Sequence, residues 1–442
     1  MYTRNHDIGT LELTLLTALL VAIPPTLSGP TGTVGVWLSA CVIVVCIAGV
    51  IRLRPSAVEL QSAMPWGLCL LLSAGTGISI LRSDEALATM RGAPLHWLSF
   101  MSLFAFVRLL RGRGTALQTW LTSFIFCSTL AAVVAIIEYS MRRTIRFDTA
   151  LIALTGLQWN DAAFDAAGVG FRSRSTLGNA LLLGTACSCA AVAALARYTT
   201  RPSGLYLIAF ILNTCAVISS RSRSSWVAEG VGILFVALFF AQTISRQAVV
   251  KMGVVALLGI AGACGYAASD EVGVAVEDVM STVWQDVVTR LTDVTVSTSY
   301  TYRLGAMGNA FEDMLREPYT LLIGYGIGGE NEYFLAKASV AMTGDVSRDA
   351  MVLRTFDNFY VTTLYSGGVV MLAWLAWKII GGIRASRAAS EHLWVGAVAI
   401  TLSVSIWFYN VIGAPLITLL LCIAIGFSRK RTLGWDTAPR RV

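Results

Sequence analysis

Long apolar runs separated by short polar connectors make up most of this chain. A bilayer core of about 30 Å is crossed by about 20 apolar residues in a helix. By that measure the pattern predicts about twelve spans, over 9–28, 33–51, 64–81, 94–110, 117–140, 176–196, 204–219, 225–243, 249–268, 358–380, 392–411 and 413–428. The first has the length of a signal peptide. It lacks a basic leading segment and a small-residue cleavage site, and a second span follows at once, so it is read as retained.

The pattern is interrupted from Ser269 to Asp357, a polar stretch that holds 14 of the 26 acidic residues. Within it, Val276, Val279, Met280, Val283, Val287, Leu291 and Val294 recur at helical spacing and form one apolar stripe. Such a helix lies on the membrane surface or packs under a cap. A second run carries Leu304, Met307, Phe311, Met314 and Leu315 and is closed by Pro318. Gly324, Gly326, Gly328 and Gly329 follow, either a turn between helices or a loop whose backbone can approach a ligand closely. The fold class is therefore all-α and polytopic, in three parts. Residues 1–268 hold nine spans and an outer loop over 141–175; 269–357 form a helical cap; 358–442 hold three spans and a tail. No internal repeat of 20–50 residues is present.

Composition agrees. The chain is 56% hydrophobic and 13% charged, and that charge decides against a soluble protein, since soluble chains carry about 25%. The net charge of +7 is scattered over connectors without a basic stripe interleaved with aromatics, which speaks against nucleic-acid binding. All nine cysteines fall in apolar runs without a CxxC, and only His6, His96 and His392 occur, so neither a zinc nor a haem site is expected. With the N-terminus inside, the inner connectors and tail hold 18 Lys and Arg residues and the short outer connectors 4; long outer segments hold the other 11 and count little. Both termini are expected to be cytoplasmic.

Soluble catalytic motifs are absent: there is no phosphate-binding loop, nucleophile elbow or HExxH. What remains is a set of arginines on the outer side. Ser220-Arg-Ser-Arg-Ser-Ser-Trp226 lies in a short connector between two apolar spans, at the outer membrane–water boundary. Arg221 and Arg223 there either snorkel to lipid headgroups or clamp a pyrophosphate, whose oxygens suit a planar guanidinium. Arg303 opens the second helical run, where it is a solvated, paired or anion-binding side chain. Asp357 stands at the start of a span, where it caps the helix or is held ionised to accept a proton or pair with an arginine. His96, at the outer end of the fourth span, is an interfacial side chain or a base.

Four patterns follow one another in order. Arg172-Ser-Arg-Ser-Thr-Leu-Gly-Asn179 opens the sixth span and Ser222-Arg-Ser-Ser-Trp-Val-Ala228 the eighth. Arg303 is followed by Pro318 and Gly324-Tyr-Gly-Ile-Gly328, and Asp357-Asn-Phe-Tyr-Val361, with Leu364 and Gly368, opens the tenth span. Together with the large outer segment between spans nine and ten, this arrangement resembles the O-antigen ligase and O-antigen polymerase superfamily over roughly residues 170–370. The first five spans match only in being apolar.

The resemblance implies a membrane glycosyltransferase of the GT-C type, metal-independent and without a cofactor, in the bacterial inner membrane with a periplasmic active site. Its donor would be a glycan on undecaprenyl pyrophosphate. A hydroxyl of the acceptor glycan attacks the anomeric carbon with inversion, and the lipid pyrophosphate leaves. By motif position the stabilisation of that leaving group goes to Arg223 and Arg303, with Arg221, Arg172 and Arg174 as further donor-binding residues. Asp357 joins the catalytic set, and Asn358 and Tyr360 are expected to contact substrate. The ligase branch carries a histidine where this chain has Asp357, in a His-Asn-x-Tyr-Leu pattern. The Asp-Asn-x-Tyr form resembles the polymerase side, where donor and acceptor are both lipid-linked and a chain-length regulator protein is a partner. The alternatives are a ligase acting on a lipid A-core or other acceptor, and a flippase or transporter, against which the lack of internal symmetry speaks.

Overall fold

Apolar length translates into helices. The computed structural model describes residues 10–23, 28–29, 32–82, 93–110, 114–141, 143, 145, 171–241, 298–327, 358–386, 392–408 and 414–426. Its helices are α1 (Thr10–Ala22), α2 (Val34–Leu53), α3 (Ala57–Ala63), α4 (Trp66–Arg82), α5 (Ala93–Leu110), α6 (Gly114–Met141) and α7 (Ala180–Thr200). They continue with α8 (Gly204–Ser219), α9 (Arg223–Ala241), α10 (Thr298–Arg316), α11 (Pro318–Ile323), α12 (Phe359–Ser386), α13 (Leu393–Ser405) and α14 (Pro415–Gly426). A 3-10 turn, Ser175–Leu177, precedes α7, and Ser28–Gly29 pairs antiparallel with Gly32–Thr33 between α1 and α2. Eleven of the twelve apolar runs thus coincide with helices. The run at 249–268 and the stripe from Val276 to Val294 lie outside the described residues.

Four of these helices are long and apolar enough to cross a membrane: α2 over Val36–Leu53, α6 over Ala116–Met141, α7 and α12. The pair α3–α4, bent by 55°, adds a fifth if it is one span. The architecture is that of a polytopic membrane protein.

The core is built around α7, in which every residue from Leu182 to Arg197 is buried. Its run Cys187-Ser-Cys-Ala-Ala-Val-Ala-Ala194 is small enough for neighbouring backbones to come close, the usual basis of helix packing in lipid. The α6, α8, α9 and α13 helices pack around it. Several polar side chains in this core bond to neighbouring helices. Ser188 Oγ donates to the Ser225 carbonyl, Asn213 Nδ2 to Thr129 Oγ1, and Trp120 Nε1 to Thr17 Oγ1. At the opposite edge, an ion pair of 2.8 Å between Arg52 and Glu12 ties the end of α2 to the start of α1.

The polar stretch is described over 298–327. There Ala310 and Met314 of α10 pack on Tyr365 of α12, whereas Phe311 and Leu315 stay exposed. The expected apolar stripe therefore divides between two faces, one against α12 and one away from it. Pro318 ends α10 and also opens α11 at a position where its missing N–H costs nothing.

A break in α12 explains the glycines that follow. Gly368 has φ 64° and ψ −169°, which removes the helical partners of the carbonyls just before it. Tyr325 N–H donates to the Tyr365 carbonyl at 2.7 Å and Gly326 N–H to that of Ser366 at 2.9 Å, so the loop after α11 satisfies both. On its other side, Ile327 N–H donates to Thr76 Oγ1 of α4 at 2.8 Å, and Ser79 Oγ donates to the Tyr325 carbonyl. The Tyr325 and Tyr365 rings stack at 4.6 Å. The loop is wedged between α4 and α12, and the backbone that Gly324 and Gly326 approach closely is the chain's own. Gly328 and Gly329 lie outside the described residues.

Candidate functional site

Two Arg-Ser-Arg segments meet at one end of the bundle. The α8 helix stops at Ser219, and the chain reverses into α9 through Ser220, Arg221 and Ser222. Ser220, Ser222 and Ser225 are buried, and Arg221 and Arg223 are half-buried. Ser220 Oγ donates to the Val217 carbonyl at 2.7 Å and accepts Ser222 N–H at 3.3 Å; Ser225 Oγ donates to Ser222 Oγ at 2.9 Å. Trp226 Nε1 also donates to the Val217 carbonyl. The alternation of serine and arginine thus turns hydroxyls inward to fix the reversal and leaves guanidiniums at its rim. Arg221 sits at φ 51°, a left-handed conformation that a non-glycine residue adopts at a cost of about 1–3 kcal/mol.

Residues 171–174 run against this turn. Ser173 N–H donates to the Ser219 carbonyl at 3.2 Å, and Arg172 Nε to the Ser220 carbonyl at 3.1 Å. Ser173 Oγ and Ser175 Oγ donate to the Ala135 and Ala131 carbonyls of α6. Here too serines point in while Arg172 and Arg174 are half-buried. Of the arginines expected from the sequence, Arg172 is thereby held on the turn that carries Arg221 and Arg223, and Arg174 follows two residues later in the same strand.

The start of α12 belongs to the same end. The α13 helix runs antiparallel to α9, with Thr401 against Gly232 and Gly396 near Phe235, so α13 finishes beside the arginines. Phe359 N–H donates to the Ile406 carbonyl just past the end of α13, at 2.9 Å. The cap of α12 is Asn358: its Oδ1 accepts Tyr360 N–H at 2.9 Å and Val361 N–H at 3.2 Å, and the residue is 1% exposed. The capping role considered for Asp357 is therefore filled by its neighbour. Tyr360 donates its hydroxyl to the Ser403 carbonyl at 2.9 Å and packs on Trp407. Phe359 and Tyr360 hold α12 on α13, and Asn358 caps α12. Asp357 and the side chain of Arg303 lie outside the described residues; the Arg303 backbone is in α10, seven positions before Ala310.

Trp407 and Phe408, just past the end of α13, are exposed. His96 Nδ1 lies 2.8 Å from Ser39 Oγ and joins α5 to α2. Among the described residues, no group of three or more His, Cys, Asp or Glu side chains comes together as metal ligands would.

Two carboxylates went unnoticed in the sequence. Glu138, 0% exposed, accepts Arg174 and Ser175 N–H on Oε2 and Ile145 N–H on Oε1. Glu229, in α9 below Arg223, accepts the Thr214 hydroxyl at 2.5 Å. Their signal was present, since an acidic residue inside an apolar run marks a functional or tightly paired position. Counting charge only in connectors overlooks it.

Guanidiniums carried on neighbouring segments offer several hydrogen-bond donors to an anion. Their planar donor forks match phosphate oxygens in pairs. Preorganised in this way, they can stabilise negative charge as it develops on a leaving group.

Among curated proteins none matches the chain. A family model described as O-antigen ligase matches residues 208–376, from α8 through the arginine turn and α9 to the broken α12. Arg221, Arg223, Arg303, Asp357, Asn358 and Tyr360 fall inside that match, whereas Arg172 and Arg174 precede it. Over residues 208–376 the chain is similar to the O-antigen ligase family, a match that supports the superfamily resemblance read from the sequence.

Proposed function

We propose that the protein is a polysaccharide polymerase that joins lipid-linked glycans at the periplasmic face of the bacterial inner membrane, with about twelve crossings and both termini cytoplasmic. The donor glycan is carried on undecaprenyl pyrophosphate and the acceptor glycan on a second lipid carrier. An acceptor hydroxyl attacks the donor's anomeric carbon. The bond from that carbon to the pyrophosphate oxygen breaks with inversion, and the leaving pyrophosphate takes the electron pair. Arg223 and Arg303 stabilise its charge, with Arg172, Arg174 and Arg221 beside them. Asp357 orients the acceptor hydroxyl and takes up its proton.

The observation that carries this reading is the docking of the Arg172–Arg174 strand on the α8–α9 turn, through Ser173 N–H to Ser219 and Arg172 Nε to Ser220. It supports a reading in which these arginines bind a lipid pyrophosphate at the membrane boundary. Aspartate at 357, with no histidine anywhere from Ser269 to Asp357, supports the polymerase over the ligase. The second reading, within the same superfamily, is a ligase that passes the glycan to a lipid A-core or other acceptor.

Lipid-linked intermediates in a deletion strain separate the two. Single repeat units on the carrier are expected for a polymerase, and finished long chains left on the carrier would indicate a ligase. Units trapped on the cytoplasmic leaflet would refute both and point to transport.

A further inference from the structure

We infer that Glu138 is a positioning residue for the arginine site, clamping the neck of the 141–175 connector so that the strand of Arg172 and Arg174 docks on the α8–α9 turn. Glu138 lies in the last turn of α6 and is fully buried. A carboxylate in that position persists only among strong donors. Its donors are backbone amides from both ends of one connector: Ile145 at 3.0 Å on Oε1, and Arg174 at 3.0 Å and Ser175 at 2.7 Å on Oε2.

One of these amides belongs to an arginine of the site. The next belongs to Ser175, which is held at φ 51°. A non-glycine residue stays there only when its surroundings enforce it. Glu138 Oε2 on its amide, and the Ala131 carbonyl on its hydroxyl, are the partners that do so. If the carboxylate is lost, Ser175 is free to relax, and the strand that places Arg172 Nε on the Ser220 carbonyl shifts with it. Glutamine cannot substitute, because its single oxygen serves one end of the neck and its NH2 group then faces an N–H at the other, donor to donor.

The inference rests on the proposed pyrophosphate site, and its test keeps the two apart. Full-length wild type, Glu138→Gln and Glu138→Asp in nanodiscs are compared by thermal unfolding, by hydrogen exchange over 171–178, and by titration with undecaprenyl pyrophosphate. Glu138→Asp keeps the charge but is one methylene short, and it serves if the glutamine variant does not fold. With the unfolding midpoint held, exchange at Arg174 and Ser175 is expected to rise and affinity for the lipid to fall by ~10- to 100-fold, the effect of displacing a binding group by about 1 Å. Unchanged exchange, or faster exchange with unchanged affinity, overturns the inference. If wild type binds no undecaprenyl pyrophosphate, the proposed function itself falls, and faster exchange in the variant would leave Glu138 as a clamp of the fold alone.

Discussion

Gly75 and Gly77 are two positions apart on α4, yet alanine should act on them in opposite directions. A Cβ at Gly75 would lie 2.8 Å from Gly326 N, 3.0 Å from Gly326 Cα and 3.2 Å from the Ile323 carbonyl oxygen. All three are backbone atoms, two in the wedged loop and one at the end of α11, so no rotamer change relieves the contact. The loop must move away, which strains the bonds from Ile327 N–H to Thr76 Oγ1 and from Gly326 N–H to the Ser366 carbonyl. Overpacking of this kind costs about 1–3 kcal/mol, and one weakened hydrogen bond adds about 1 kcal/mol. The helix propensity of alanine returns roughly 0.5–1 kcal/mol. The balance for Gly75→Ala is a loss of about 1–3 kcal/mol. At Gly77 nothing lies within 4 Å of the added methyl, so Gly77→Ala keeps only the propensity gain, roughly 0.5–1 kcal/mol of added stability. Intrinsic tryptophan fluorescence of detergent-solubilised protein during heating reads both. A Gly75→Ala protein as stable as Gly77→Ala would refute the wedge of the Gly324–Ile327 loop between α4 and α12.

Other expectations concern the site. Arg223→Ala and Arg303→Ala should each lower polymer formation by ~100-fold or more while the yield of folded protein is kept; wild-type chain-length patterns in both would sink the pyrophosphate clamp. At Arg221 both Gly and Ala remove the guanidinium, but only Gly relieves the left-handed strain, so Arg221→Gly should unfold later than Arg221→Ala by about 1–2 kcal/mol; equal stabilities would mean no strain is stored there. Asn358→Ala should cost about 1 kcal/mol and Asn358→Asp little, because aspartate still caps. Asp357→Ala is expected to abolish transfer without a change in unfolding temperature, and parallel loss of both would assign the residue to structure.

The legible part of this protein was local. Runs of about 20 apolar residues need no partner to declare themselves, since a helix satisfies its own backbone in lipid. Cap chemistry was legible only to within one residue. Asp357 and Asn358 are both good caps by type, and the choice was made by where Phe359 N–H meets the Ile406 carbonyl. The glycines after α11 announced a close backbone approach but not its partner.

Taken alone, then, the sequence determined the helices, the polar interruption and the residue types able to hold a pyrophosphate, because hydropathy and motif spacing are properties of neighbours along the chain. Tertiary structure decided the rest. The bond from Arg172 to Ser220 spans 48 residues, that from Arg174 to Glu138 spans 36, and that from Ile327 to Thr76 spans 251. No periodicity encodes such pairings. The first two exist because chain ends of α6, α7, α8 and α9 must satisfy their backbone groups beside one another, and the third because the loop after α11 fills the break in α12.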